Sequence, residues 1–451
     1  MPRTVFSLFI LFLITSCASP QPATPTAVPT PAVSPTPYPN ALYVDPNQSL
    51  GPISPLIYGS NYGPWLVVPF DMLTAAYDSG VTILRFPAGS WGDHNNVTKL
   101  QIDQFMAFAS QVGATAMFNV RLLGGTPEQA AEMVRYTNIE KKYNVQYWGI
   151  GNEPTLYQSE VKKFGETYDT ARFNKEWREF ATAMKAVDPS IKLIGAEINQ
   201  FSFSTEEGAT TNFGTWDETW FVDFLKANGD MVDIVSFHRY PFPLSSVSGP
   251  PSVEELSANA QEWDKIIIHA RELILEHTGR DLPIAVTEFN SAYDKSVGGE
   301  ATPDSHLNAI WMADVLGRMI KQDVFMANVW ALTAKGGYGG LGIIGQSDVF
   351  PSYYTYQMYK MFGDELVDSS SDEDSLSIYA AKRSEDGTLT LMVVNISAEA
   401  KEKALVIADQ PTVRGEAWLF DPEHKVENMG EVELGGEMTF PAQSVTLFIL
   451  R

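Results

Sequence analysis

The sequence predicts an α/β protein: a (β/α)8 TIM barrel followed by a C-terminal antiparallel β-sandwich. Three observations carry this. Past residue 40, eight short apolar runs alternate with longer helical-period stretches over about 300 residues, and eight such repeats suit a closed barrel better than an open sheet. Past residue 361 the helical period stops, and short alternating strands follow one another across turn signals such as Glu385-Asp386-Gly387. Residues 1–40 differ in composition from everything after them.

Taken in order, residues 1–17 place Arg3 before an apolar stretch at 5–14 and then Thr15, Ser16 and Cys17. This is the pattern of a secretory signal, too short to span a bilayer as a helix. The end of the stretch, Leu13-Ile14-Thr15-Ser16-Cys17, resembles a bacterial lipobox, so Cys17 is expected to carry a lipid and to be the only attachment to a membrane. Cys17 is the single cysteine, which rules out a disulfide within the chain. Residues 18–40 hold eight prolines in 23 positions, and no charge occurs between Arg3 and Asp45. Such a segment forms no core and is expected to act as an extended tether of up to about 70 Å.

The barrel is expected over 56–361, with strands at 57–62, 83–87, 116–122, 147–152, 192–197, 233–240, 284–289 and 326–332. Helical periods fall at 127–143, 170–187, 253–277 and 306–321, with a last helix at 353–361. The sandwich is expected over 362–451, with strands at 375–382, 388–395, 403–407, 415–420 and 444–450, and the early run 41–50 is a candidate extra strand of it.

Charge and motif content narrow the function. Lys+Arg 31 against Asp+Glu 55 gives a net charge of −24 with no basic run, which argues against nucleic acid as a partner. A lone cysteine, six scattered histidines and the absence of H-E-x-x-H leave no metal site to expect. Gly337, Gly339 and Gly342 satisfy a dinucleotide-binding spacing, but no βαβ unit follows; they read as a loop over the barrel mouth, and no organic cofactor is expected. There is no G-x-S-x-G nucleophile elbow.

In a parallel barrel the chemistry sits where the strands end at their carboxyl face. Two strand ends carry acids there in similar settings: Glu153, within Gly151-Asn152-Glu153-Pro154, and Glu288, within Val286-Thr287-Glu288-Phe289. Two carboxyls across a cleft are what cleavage of a glycosidic bond needs, one to protonate the leaving oxygen and one to face the anomeric carbon. Arg85 ends the second strand, His238 and Tyr240 lie two apart at the end of the sixth and so share a face, and Trp330 ends the eighth. Trp65 and Trp91 in early loops are candidates to line the mouth, whereas Asn119, Arg121 and Glu197 reach mouth positions without a role that spacing can assign.

Asn152-Glu153-Pro154 and Thr287-Glu288-Phe289 resemble the acid/base and nucleophile stations of the clan A glycoside hydrolases, retaining enzymes on a (β/α)8 barrel. With Ile53 to Gly59, Leu84-Arg85-Phe86-Pro87 and Val235 to Tyr240, the chain is similar to the family 51 α-L-arabinofuranosidases and, at the two glutamate stations, to the family 39 β-xylosidases. The resemblance implies that Glu153 is the general acid/base and Glu288 the nucleophile, with carboxyls about 5 to 5.5 Å apart. It implies that Asn152 holds a sugar hydroxyl, that Arg85 orients Glu288 and keeps its pKa low, and that Tyr240 bonds Glu288. His238 would serve the acid/base or the substrate, and Trp330 would offer a face to a sugar. The expected substrate is a plant-type carbohydrate. An endo-acting β-glucanase or xylanase is the rival within the class, and a non-catalytic carbohydrate-binding surface lipoprotein is the rival outside it.

Overall fold

The computed structural model describes residues 38–202, 216–242, 250–294, 297–335 and 340–450. The signal stretch with Cys17, nearly all of the proline-rich tether, and Gly337 and Gly339 lie outside them. The first strand, β1 (Ala41–Pro52), belongs to a second sheet described below. The next eight are β2 (Gly59–Asn61), β3 (Ile83–Phe86), β4 (Thr115–Val120), β5 (Tyr147–Ile150), β6 (Lys192–Ile198), β7 (Ile234–Arg239), β8 (Ile284–Phe289) and β9 (Met326–Val329). They form a closed parallel barrel, sealed where Gly59 of β2 pairs with Ile83 on one side and Asn328 on the other.

Side chains alternate along each strand, and this alternation builds the site. Near the amino ends Ile83, Met117, Ile194, Ile234, Ala285 and Met326 fill the interior as one apolar layer with Leu56. Two residues further along the same strands, the buried interior becomes polar: Arg85, Asn119, Ser236, Thr287 and Asn328. Residues of opposite parity, such as Leu84, Phe118, Val235 and Val286, pack outward against the helices in the main core. The apolar plug thus underlies a polar chamber at the carboxyl end.

The helices at Thr170–Val187 and His306–Lys321 match their expected spans. Two others are corrected. The span expected as one helix at 127–143 is α-helical only over Pro127–Val134 and then widens into a π turn at Arg135–Glu140. Asn138 accounts for the stop, because its amide clamps both the N–H and the C=O of Val145 at 2.9 Å, drawing the chain away from the helix axis. The span expected as one helix at 253–277 breaks into Val253–Asn259 and Glu262–Thr278, where Asn259 commits its side chain to Trp311 and Glu262.

Eight further strands complete the second sheet: β10 (Glu365–Ser370), β11 (Leu376–Lys382), β12 (Leu389–Asn395), β13 (Lys401–Ile407), β14 (Val413–Phe420), β15 (Lys425–Leu434), β16 (Gly436–Phe440) and β17 (Ser444–Leu450). Their order is β15-β14-β17-β12-β11-β10-β1-β13-β16, antiparallel except for the β1–β13 pair. Leu391, Ile378, Phe448, Leu405 and Phe440 meet in a core of the sheet's own, so it packs against itself as a sandwich. The alternate residues Tyr379, Met392, Val394, Val445 and Leu447 face the barrel core. They rest on the helix His306–Lys321, where a Cβ on Gly317 would lie 2.3 Å from the Tyr379 ring. Tyr379 donates to the Asp314 carbonyl at 3.1 Å, and the Lys321 ammonium donates to the Ser369 carbonyl at 2.7 Å. Strands β10, β15 and β16 were not among those expected. Most of β15 is exposed and lacks apolar alternation, and β10 ends in Asp368-Ser369-Ser370, so neither carries the period-two signal.

Candidate active site

The chain bends at each acidic strand end. After β5, Gly151 (φ 80°) turns the backbone and Glu153 itself adopts φ 49°, ψ 56°, a left-handed conformation that costs a non-glycine residue about 1–2 kcal/mol. Glu197 in β6 also has φ 58°, and the β6–β7 pairing slips between Ala196 and Ile198. In β8 the pairing with β9 slips between Val286 and Phe289, so the consecutive residues Thr287 and Glu288 both reach the interior. Such bulges re-aim side chains beside functional sites.

The side chains so aimed form one cluster. Arg85 donates through Nη1 to Glu288 Oε1 at 2.8 Å and Asn61 Oδ1 at 3.0 Å, and through Nη2 to Glu197 Oε2 at 2.6 Å and Asn152 Oδ1 at 2.8 Å. Tyr240 Oη donates to the other Glu288 oxygen at 2.8 Å. His238 Nδ1 lies 3.0 Å from Glu153 Oε1 and 3.8 Å from Glu288 Oε2, while its Nε2 lies 3.0 Å from Glu197 Oε2. One ligand-type atom from each of Glu153, His238 and Glu288 falls within 4.8 Å of the others. The trio has the composition of a metal site, but the proton that three carboxyls hold on His238 competes with any ion there.

Burial and charge oppose each other throughout. Burial alone would lower His238, but Glu288, Glu153 and Glu197 prevail and push it up to about 9. Burial would raise Glu197, yet Arg85, His238 and Thr287 outweigh it and hold the carboxyl below its ordinary value. At Glu288 burial wins. Its carboxyl is raised despite His238 and Arg85, with the nearby Glu153 adding to the rise, and this corrects the expectation that Arg85 holds it low. Tyr240, raised well above its ordinary value by burial and by Glu288, keeps its proton to donate.

The His238 shift has a measurable consequence. Because the folded state binds the proton more tightly, the stability it contributes is fully present below the unfolded value of 6.5 and is lost as pH rises through about 9. Wild type is expected to lose up to about 3 kcal/mol more than a His238→Gln variant between those two pH values in denaturant titrations. Parallel stability curves for the two proteins would contradict the placement of that proton.

A cleft of about 640 Å³ opens above the cluster. Glu153, Tyr240 and Glu288 reach its surface, Trp65, Trp91, Tyr293 and Trp330 supply aromatic wall, and Lys335 is the single cation among the described lining residues. Trp330 stacks on Trp65 with ring centroids 5.7 Å apart, and Gly89 (φ 64°) leaves room for it, since a Cβ there would lie 2.5 Å from the Trp330 ring. Arg85 and His238 are fully buried behind the carboxyls and Asn152 is nearly so. The reach of Arg85 and His238 toward the cleft therefore runs through Glu153 and Glu288, whereas Asn152, no more buried than Glu288, accepts from Arg85.

Several members of the cluster carry no role in the sequence reading. Asn61 ties β2 to Thr287 and Asn328 through its Nδ2 while accepting from Arg85. Tyr157 accepts the Asn152 N–H at 3.1 Å and donates to Asp93, whose buried carboxyl is raised well above its ordinary value. Glu197 was legible as an acid at a strand end, Ile194-Gly195-Ala196-Glu197, the same signal that exposed Glu153 and Glu288. Among the described residues, no helix is long and apolar enough to cross a membrane.

The architecture has counterparts among solved structures. The structure superimposes on α-L-arabinofuranosidase from Thermotoga maritima with a TM-score of 0.73 at 18% identity, covering 91% of this chain and 99% of that one. It superimposes on CelM2, a bifunctional glucanase-xylanase from a metagenome library, with a TM-score of 0.69 at 16% identity, covering 91% and 99%. The fold shared with these structures is a barrel with a β-sandwich packed against it. In sequence, the chain is 24% identical to heparanase from Bos taurus over 333 residues, which cover 69% of this chain and 56% of heparanase. The match thus spans little more than half of that relative's length. No family model matches the chain.

Proposed function

We propose that the protein is a retaining glycoside hydrolase in which Glu288 is the nucleophile and Glu153 the general acid/base. The observation that carries this is the pairing of two carboxyls that bring one oxygen each within 4.8 Å of the other, from strand ends three places apart around the barrel and with different partners. Retaining enzymes hold their carboxyls about 5–5.5 Å apart, whereas inverting ones need about 6.5–9.5 Å to admit a water between them. Both Glu288 oxygens accept from groups with a proton to give, Arg85 and Tyr240, whereas Glu153 has His238 alone among such partners, which favours Glu288 as the attacking anion and Glu153 as the acid/base.

In the first step a Glu288 oxygen bonds the anomeric carbon, the glycosidic C–O bond breaks, and Glu153 gives its proton to the leaving oxygen. In the second, Glu153 takes a proton from water, the water oxygen bonds the anomeric carbon, and the ester to Glu288 breaks. Negative charge moves from Glu288 to Glu153 and back. His238, 3.0 Å from one and 3.8 Å from the other, faces the charge in either place.

The scarcity of cations among the described residues of the cleft favours a neutral sugar, and the aromatic walls suit its C–H faces. The substrate within this reading is a plant-type glycan, cleaved as an α-L-arabinofuranoside or β-xyloside. The likeness to CelM2 and a cleft of about 640 Å³ walled by Trp65, Trp91 and Trp330 favour endo-cleavage of a β-glucan or xylan as the second reading. Turnover of aryl α-L-arabinofuranoside, β-xyloside, β-glucoside and β-glucuronide beside xylan, arabinan and β-glucan tests both. Cleavage of one small glycoside supports exo action, cleavage of polymers alone supports endo action, and a folded protein that cleaves nothing would remove the enzymatic reading.

The same proposal puts the enzyme on the outer face of a bacterial membrane, held by lipid on Cys17. A Cys17→Ser variant is expected to leave the membrane fraction for the soluble one, and unchanged partition would dismiss the anchor.

A further inference from the structure

Glu197 takes part in neither step above, yet it is as deeply buried as any group in the cluster, with no exposed side-chain surface. An isolated carboxylate in such a place would be neutralised; this one is surrounded by donors. Its Oε2 receives Arg85 Nη2 at 2.6 Å from β3, His238 Nε2 at 3.0 Å from β7 and Thr287 Oγ1 at 3.2 Å from β8. Its Oε1 accepts from Ser236 Oγ at 3.3 Å, also on β7. The backbone is committed as well: the Glu197 N–H donates to Ser236 Oγ at 3.0 Å, and its carbonyl accepts the Glu153 N–H at 3.1 Å. The chain reaches this arrangement through a left-handed residue (φ 58°) inside a bulge, a conformation that a simple strand end would not require.

We infer that Glu197 is a positioning residue for the two-glutamate reaction: it holds Arg85 against Glu288 and fixes His238 as the cation shared by Glu153 and Glu288. The inference rests on the glycosidase reading of the site. The geometry accounts for it directly, because each cation bridges Glu197 to a reacting carboxyl: Arg85 spans Glu197 and Glu288, and His238 spans Glu197 and Glu153. The charges also close. With Arg85 and His238 cationic, Glu197 and Glu288 anionic and Glu153 protonated, the five groups sum to zero. When Glu288 is esterified and Glu153 is anionic, they sum to zero again. Without the Glu197 charge both states carry an unbalanced cation in a buried chamber, which favours loss of the proton on His238.

The charged and titratable groups facing His238 are Glu153 beyond β5, Glu197 on β6 and Glu288 on β8. The test is a ¹⁵N-imidazole titration of His238 by NMR in wild type, Glu197→Gln and Thr287→Val, with its signals assigned by their loss in His238→Gln. Glu197→Gln is expected to lower the His238 midpoint by about one unit or more, a tenfold loss of proton affinity, and Thr287→Val to lower it by less. The alkaline limb of kcat/KM should move to lower pH in the same order, a displacement that a merely structural role would not produce. An unchanged midpoint in folded Glu197→Gln overturns the inference. If that variant does not fold, an unchanged midpoint in Thr287→Val, which keeps shape and removes one hydrogen bond, overturns it equally. Should wild type cleave no glycoside, the reaction assigned to the site fails, while the titration still reads whether Glu197 governs His238.

Discussion

Glu288→Ala is expected to lower kcat/KM on the substrate found for the wild type by at least about 10⁴-fold, because no other described carboxyl can reach the anomeric carbon from its place. Arg85 and Tyr240 would then face a void where both glutamate oxygens had been held at 2.8 Å. Azide is small enough to enter that void and is itself a nucleophile. It should restore turnover and yield a glycosyl azide of inverted configuration, since one displacement replaces two. Residual activity above about a tenth of wild type would take the nucleophile's role away from Glu288.

Glu153→Ala is the second large effect, and it differs in kind. Substrates with poor leaving groups should lose about 10²–10⁴-fold in kcat/KM, the usual contribution of a placed acid. An aryl glycoside whose phenolate leaves unaided should still form the ester with Glu288 and then stall, because no base activates the water. Azide should release that intermediate with retained configuration, opposite in stereochemistry to the Glu288→Ala product. Equal losses on good and poor leaving groups would remove the acid/base assignment, since proton donation matters only where the leaving oxygen needs it.

How far the sequence exposes this site depends on which contacts are local. A barrel's strand ends are a property of sequence order, so Glu153 and Glu288 could be picked out from the apolar runs before them. His238 and Tyr240 followed from a spacing of two along one strand. Glu197 met the same criterion as the two glutamates but stayed without a role. Its meaning lies in Arg85, 112 positions away, and His238, 41 positions away, and in a bulge that no local pattern announces. The direction of the Glu288 shift was missed for a related reason: proximity to Arg85 can be guessed from strand positions, but the depth of burial that outweighs it is set by all eight strands together. In the second sheet, β11, β12 and β17 bury side chains on two faces and read clearly, while exposed β15 does not.

The place of β1 bears on how such a protein can change over generations. This 12-residue strand precedes the barrel in sequence yet lies inside the second sheet, flanked by β10 and β13. A single crossover after the barrel, the usual route by which an accessory module is exchanged, would remove both neighbours and leave β1 with two open edges. Exchange would need paired breakpoints, one on either side of the barrel. The sheet is therefore expected to stay with its barrel, and variety in this architecture to accumulate in the loops around the mouth.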